Sequence, residues 1–301
     1  MAASNPSSSG SLGGHIRLHP LKPSQLPSHP KLTTQQAGSS LTIESFAACT
    51  LAEGTAFMTA YLPANFTIKS TDKKSPPATA PVELSAKDIP SSALPKDSGP
   101  SDGATESWFA RKSLHENKPA QGTATWEEFD YALRVDHSQH EKDYTPDVLD
   151  AHEVLNWDSE LEAVGRKVEG GWEDVHAGVC EMCHKIPPPL NNRVFPVIVI
   201  TAKRQNEFLV VQIPVATQGL PGAKYHDVPK VTGGIYVSVE RGELVEGGAK
   251  TMWQMATASD AKGVLPMWAQ KMGVPGAVVK DVGLAVGWIE ERRGKGTVQM
   301  F

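Results

Sequence analysis

The chain has 301 residues, 40% of them hydrophobic, enough for one large core or two small ones. Its net charge of −5 is spread over mixed signs, with no basic block to neutralise a run of phosphates, which argues against nucleic acid as a partner. No stretch reaches the roughly 18–20 apolar residues of a bilayer span, and the first thirty residues show no charged-then-apolar leader. The expectation is no stable membrane insertion and at most transient membrane contact. Three cysteines, Cys49, Cys180 and Cys183, supply no disulfide framework, which suits a reducing, cytoplasmic setting.

Residues 1–40 are rich in Ser, Pro and Gly, and the close spacing of Pro20, Pro23, Pro27 and Pro30 predicts a mobile N-terminal arm. In residues 41–63, Ile43, Phe46, Ala47, Leu51, Gly54 and Met58 recur near a period of 3.6 before Pro63. That spacing predicts an amphipathic helix packed on the domain that follows. Residues 64–106 carry Pro76, Pro77, Pro81, Pro90, Pro95 and Pro100 among Ser, Lys and Asp, a composition that predicts a disordered linker.

Residues 107–301 keep a globular texture to the end. A short strand is expected over Trp108–His115. Thr125 and Glu128 then form a capping box opening a helix that continues through Trp126, Phe129 and Leu133. Six strands follow, near residues 148–157, 172–184, 193–203, 207–215, 234–241 and 249–259. The turns between them contain Gly, Pro and Asn, so antiparallel hairpins are expected rather than βαβ crossovers. The last element is a helix with Pro275 at its start and Val278, Val282, Ala285 and Ile289 on one face. A curved antiparallel β-sheet wrapped around this long C-terminal helix buries that face and leaves space beneath it. The fold class is α+β, in a helix-grip arrangement. A second patch on the helix, Ala277, Leu284 and Trp288, calls for a cover, and the 41–63 helix is the natural candidate.

The segments WFARKSLHE, GTATWEEFDYALRVDHSQHEKDYTP, HKIPPPLNNRVFPVIVI and WQMATASDAKGVLPMWAQKMGVPGAVVKDV resemble an uncharacterised fungal family of START-like (SRPBCC) domain proteins over roughly Trp108–Trp288. The wider superfamily includes lipid-transfer domains, plant Bet v 1-type proteins and polyketide cyclases. The resemblance therefore implies that residues 107–301 are a START-like ligand-binding domain holding a hydrophobic small molecule, a lipid, sterol or polyketide-like compound. It transfers no catalytic motif and no cofactor. A binder or carrier is favoured over an enzyme; a cyclase- or aromatase-type enzyme using the same cavity, or an interaction module without a ligand, are the alternatives.

The expected pocket lining comes from strand faces and the last helix: Val197, Val199, Val211, Ile213, Ile235, Val237, Val239, Trp253, Met255, Val278, Val282 and Ile289. Trp253 and Met255 share a strand face and are chosen for a broad wall and an adaptable one. The apolar set Ile235, Val237 and Val239 is placed toward the pocket or core, and an enzyme would draw on His176 or Tyr236 for proton transfer. Cys180-Glu-Met-Cys183-His184 spells a haem-attachment pattern, but side chains three apart on a strand point to opposite faces, so plain thiols are expected. His137, His140 and Glu141 are read as a solvated helix end rather than a metal site. Arg193 is read as a surface or ion-pair residue, with a headgroup contact as the alternative.

Overall fold

The apolar runs of the second half become strands buried on both sides, and that double burial organises the molecule. The structure, a computed structural model, describes residues 12–32, 41–94, 105–264 and 267–295. In chain order the elements are α1 (Ile43–Ala56), a π-helical turn (Phe57–Tyr61) running into α2 (Leu62–Asn65), β1 (Thr67–Ser75), β2 (Ala78–Ile89), β3 (Glu106–Glu116), α3 (Trp126–Leu133), α4 (His137–Tyr144), β4 (Val148–Asn156), α5 (Asp158–Ala163), β5 (Glu173–His184), β6 (Asn192–Arg204), β7 (Glu207–Pro214), β8 (Val231–Gly233), β9 (Ile235–Val245), β10 (Lys250–Asp260) and α6 (Met267–Gly294). One sheet runs β1-β2-β3-β10-β9-β7-β6-β5-β4, antiparallel at every step, with β8 parallel to the start of β6.

β7 shows the double burial most simply, since all eight of its residues are buried. Leu209, Val211 and Ile213 join a cluster with Phe46, Ala47 and Leu51 of α1, while Phe208 and Val210 join Val282, Val286 and Ile289 of α6 on the other face. Apolar side chains at both parities are what such a strand requires. α1 presents Ile43, Phe46, Ala47, Thr50, Leu51 and Gly54 inward, a helical stripe capped by the Thr42 side chain accepting from Ser45 N. At Gly54 a Cβ would crowd Leu209 at 2.9 Å, so glycine lets the helix lie close to the sheet.

Several expectations need correction. Residues 12–32 of the predicted arm are docked: Ile16, Leu21 and Leu26 are buried, Leu21 pairs with the end of β7, and Trp157 Nε1 donates to Ser28 O. Residues 1–11 and 33–40 lie outside the described part. The predicted linker holds β1 and β2, whose Val82, Leu84 and Ile89 are buried; only residues 95–104 of that segment lie outside the described part. The α1 helix packs on the face opposite α6, so it does not cover Trp288. Tyr131, His140 and Tyr144 from α3 and α4 do. α6 begins at Met267, with Pro275 inside it, because Val274 and Val278 on either side of the proline both pack toward β2 and β10. Residues 269–294 are also long and apolar enough to cross a membrane by composition alone; in this fold Val278, Val282, Ala285, Val286 and Ile289 are buried against the sheet.

α6 is fastened at its middle and at its C-terminal end. Near its middle, Gly283 N donates to Ser75 Oγ, and a Cβ there would press into the carbonyl oxygens of Ser75 and Pro76. In its last turn Arg293 makes a bidentate pair with Glu128 at 2.6 and 2.7 Å; Glu128 also completes the predicted capping box with Thr125.

Candidate functional site

Toward its N-terminal half α6 stands off the sheet, and a cavity of about 440 Å³ lies between them. Its apolar walls are Val274, Ala277, Val278 and Leu284 from α6, facing Met182, Phe195 and Met255 from the sheet. The mouth is framed by Thr145–Asp147 before β4, Lys185–Ile186 after β5, and Ala261 and Gln270 near the start of α6. That volume falls in the range of roughly 300–1,000 Å³ typical of small-molecule sites.

Polar side chains enter this space from one strand parity. On β9, Tyr236, Ser238 and Glu240 face the α6 side, while Val237 and Val239 face α1. Gln212 of β7 and Thr257 of β10 belong to the same side. Glu141 from α4 and Asp281 from α6 complete the polar wall. Glu141 keeps 22% of its side-chain surface accessible although protein encloses it, because that surface borders the cavity. Burial pushes its carboxyl above the usual range, and Glu240 adds to this against the pull of His137 and Gln212. Burial likewise pushes Asp281 up to about 7; Arg111 and Lys280 pull it down, while Glu141 and Glu240 push it further up. Asp281 takes no hydrogen bond from any described residue. Tyr144 and Tyr236 are held neutral by burial, and burial lowers His184 to about 4 despite Asp147 nearby, so it too is neutral at pH 7.

Behind the wall lies a buried group built on Arg111 of β3. Its Nη2 donates to Glu240 at 2.9 Å and its guanidinium stacks 3.9 Å over Trp253, whose Nε1 also donates to Glu240, at 2.8 Å. Arg111 Nε and Nη1 have no hydrogen-bond partner. The side chain is only 1% accessible, so these donors lie beneath the cavity surface rather than on it.

Of the twelve residues expected to line a pocket, Met255 and Val278 do so. Val197, Val199, Trp253, Val282 and Ile289 lie on the α6 side but outside the cavity, in the buried apolar cluster beneath the helix, and Val199 also borders a separate small cleft. Val211, Ile213, Val237 and Val239 are on the wrong face, packed against α1, and Ile235 shares their parity at the start of β9, half-buried. The error has one physical cause. With both sheet faces covered, the apolar parity of β9 marks the dry layer, and the polar parity marks the layer that contains a cavity.

The remaining candidates take structural roles. His176 is half-exposed, with Nδ1 3.1 Å from Asp158 Oδ1 and Arg166 beside it, in a separate polar cleft of about 150 Å³. Arg193 is buried, not superficial, and its guanidinium ties the chain after β10 through the carbonyls of Ala261 and Lys262. His137 and His140 are buried as well, engaged with Leu133 O and Gln212, and with Tyr131 O, respectively. Cys180 and Cys183 are free thiols at opposite parities of β5. Cys180 contacts Met182 and its thiol is pushed up to about 12 by burial. A wide groove of about 940 Å³ runs along the outer side of α1 past Cys49 and Trp172, on the far face of the sheet.

This arrangement of long antiparallel sheet and C-terminal helix defines a START-type helix-grip fold. Human STARD10 has the same fold, with a TM-score of 0.55 at 11% identity over 81% of each chain. So does human StAR-related lipid transfer protein 5, with a TM-score of 0.53 at 12% identity over 85% of this chain and 99% of that one. Within that fold the chain belongs to the family described as a protein of unknown function, DUF3074, whose model matches residues 108–289. No curated protein matches the chain.

Proposed function

We propose that the protein binds, and carries in a cytoplasmic setting, a hydrophobic small molecule of the lipid, sterol or polyketide-like kind in the cavity beneath α6. The observation that carries this reading is the cavity itself: apolar walls, a few convergent polar groups and a framed mouth between the sheet and the C-terminal helix. The name of StAR-related lipid transfer protein 5, which shares the fold, points the same way. An interaction module without a ligand would have no need of this space.

A second reading, a cyclase-type enzyme in the same cavity, is favoured by Asp281, whose pKa of about 7 suits proton transfer near neutral pH beside Tyr236. Native mass spectrometry of the purified full chain tests the first reading, with Nile red titration alongside. Adducts of one hydrophobic molecule per chain, released on denaturation, and saturable Nile red binding are expected. An apo mass alone together with no Nile red binding would refute it.

A further inference from the structure

The polar wall inside the cavity is acidic; the basic groups near it are Arg111, sealed behind the wall, and Lys185 and Lys280, exposed at the rim. Glu141 and Asp281 both border the space, one from α4 and one from α6. The third carboxylate, Glu240, is already paired with Arg111 and Trp253 behind the wall. Arg111 has two unpartnered nitrogens, yet its side chain is stacked on Trp253 and sealed off, so it cannot serve an incoming anion.

The other charged or titratable groups do not reverse this balance. His137 contacts Glu141 from within α4 at 3.7 Å and is committed to Gln212. Tyr144, Tyr236 and His184 are neutral at pH 7. Lys280, Lys185 and Asp147 are exposed residues on the rim. Asp281 is the group in need of a partner: an enclosed carboxyl bordering the cavity, with no hydrogen-bond donor from any described residue. A buried carboxylate without a donor is costly, and a ligand that donates to it removes that cost.

Resting on the cavity-binding reading above, we infer that the cavity selects hydrophobic molecules whose polar end donates hydrogen bonds, amines first and alcohols next, and rejects carboxylates. A fatty-acid carboxylate would meet two like-charged groups in a low-dielectric space. A protonated amine would sit between them and satisfy both.

The test is displacement of Nile red from the full chain by dodecylamine, dodecanol and dodecanoate, which share one alkyl chain and differ in the head. Near pH 8 the amine should displace at a concentration at least about tenfold below that of dodecanoate, with the alcohol between them. Near pH 5 the gap should narrow, because Asp281 takes up a proton and burial holds Glu141 above the usual carboxylate range. Asp281→Asn with Glu141→Gln should narrow it in the same way near pH 8. Dodecanoate binding as tightly as the amine near pH 8, or a gap insensitive to both pH and the paired substitution, would overturn the inference and leave cavity binding standing. Failure of Nile red to bind at all would overturn both.

Discussion

Asp281→Asn removes one ionisable group from the cavity wall while keeping its shape, and its effect on stability has a definite sign. In the unfolded chain this carboxyl titrates near 3.8, and in the folded chain near 7, so between those values the folded state holds a proton that the unfolded state has released. Stability from this group is therefore full below about pH 4, falls as pH rises, and is lost above about pH 7. A shift of about three units corresponds to about 4 kcal/mol; the pull of Arg111 and Lys280 is already included, and water entering the cavity lowers the figure, so roughly 2–4 kcal/mol is expected. Asparagine carries no such penalty. Thermal melts of the two full-length proteins should nearly coincide near pH 4, diverge through pH 7 with the variant higher by roughly 4–8 °C, and stay parallel above that. A variant equally stable to the wild type at pH 8, or less stable there, would refute the assignment of an enclosed, unpartnered carboxyl at this position.

Two substitutions two residues apart on α6, and so on different faces of the helix, separate cavity from core. Leu284→Trp should fill the cavity and abolish Nile red binding with little change in melting temperature, whereas Val282→Trp, at a fully buried and filled position, should destabilise by about 1–3 kcal/mol or more. The reverse pattern in paired melting and binding assays would place the cavity on the wrong side of the helix. Replacing residues 67–89 by a short Gly-Ser linker should abolish cooperative unfolding, because β2 pairs from Val82 to Ile89 with Ser113 to Glu106 of β3 and packs on α6; retention of a sharp transition would show these strands to be dispensable.

The sheet from β3 to β10, the short β8 apart, was legible in the sequence because its strands are apolar runs bounded by turn residues, and the boundaries agree within a few residues. Of the strands that escaped, β1 is the most instructive. β1 reads TIKSTDKKS, and nearly all of it is exposed, with Lys69, Lys73 and Lys74 along an edge. Lysines, prolines and polar residues on an exposed edge strand suppress pairing with other chains, and the same composition imitates disorder. The docking of residues 12–32 was hidden for a related reason. It rests on single contacts such as Ile16 N to Glu53 and Arg17 to Glu106, which join residues far apart in sequence and leave no local period.

The site was less legible than the fold. Met255 and Val278 could be chosen from strand and helix faces, but the apolar parity of β9 reads as a pocket face until α1 is seen to cover it, which makes it the dry layer. Buried polar residues carried the missing signal: Arg111, Ser113 and His115 on β3, Gln212 on β7 and Glu240 on β9 all lie on the α6 side. Asp281 could have been flagged by its place among the valines of α6, since a carboxylate beside a stripe buried against a sheet needs a reason.

The most direct test of the central claim is photo-crosslinking of the full chain with a diazirine-bearing long-chain alcohol, followed by peptide mapping. The cavity account predicts saturable adducts on α6 between Val274 and Leu284 and on β10 between Met255 and Ser259, competed away by unlabelled dodecanol. Adducts confined to the groove along α1 around Cys49 and Trp172, or scattered over the surface and insensitive to competitor, would contradict it.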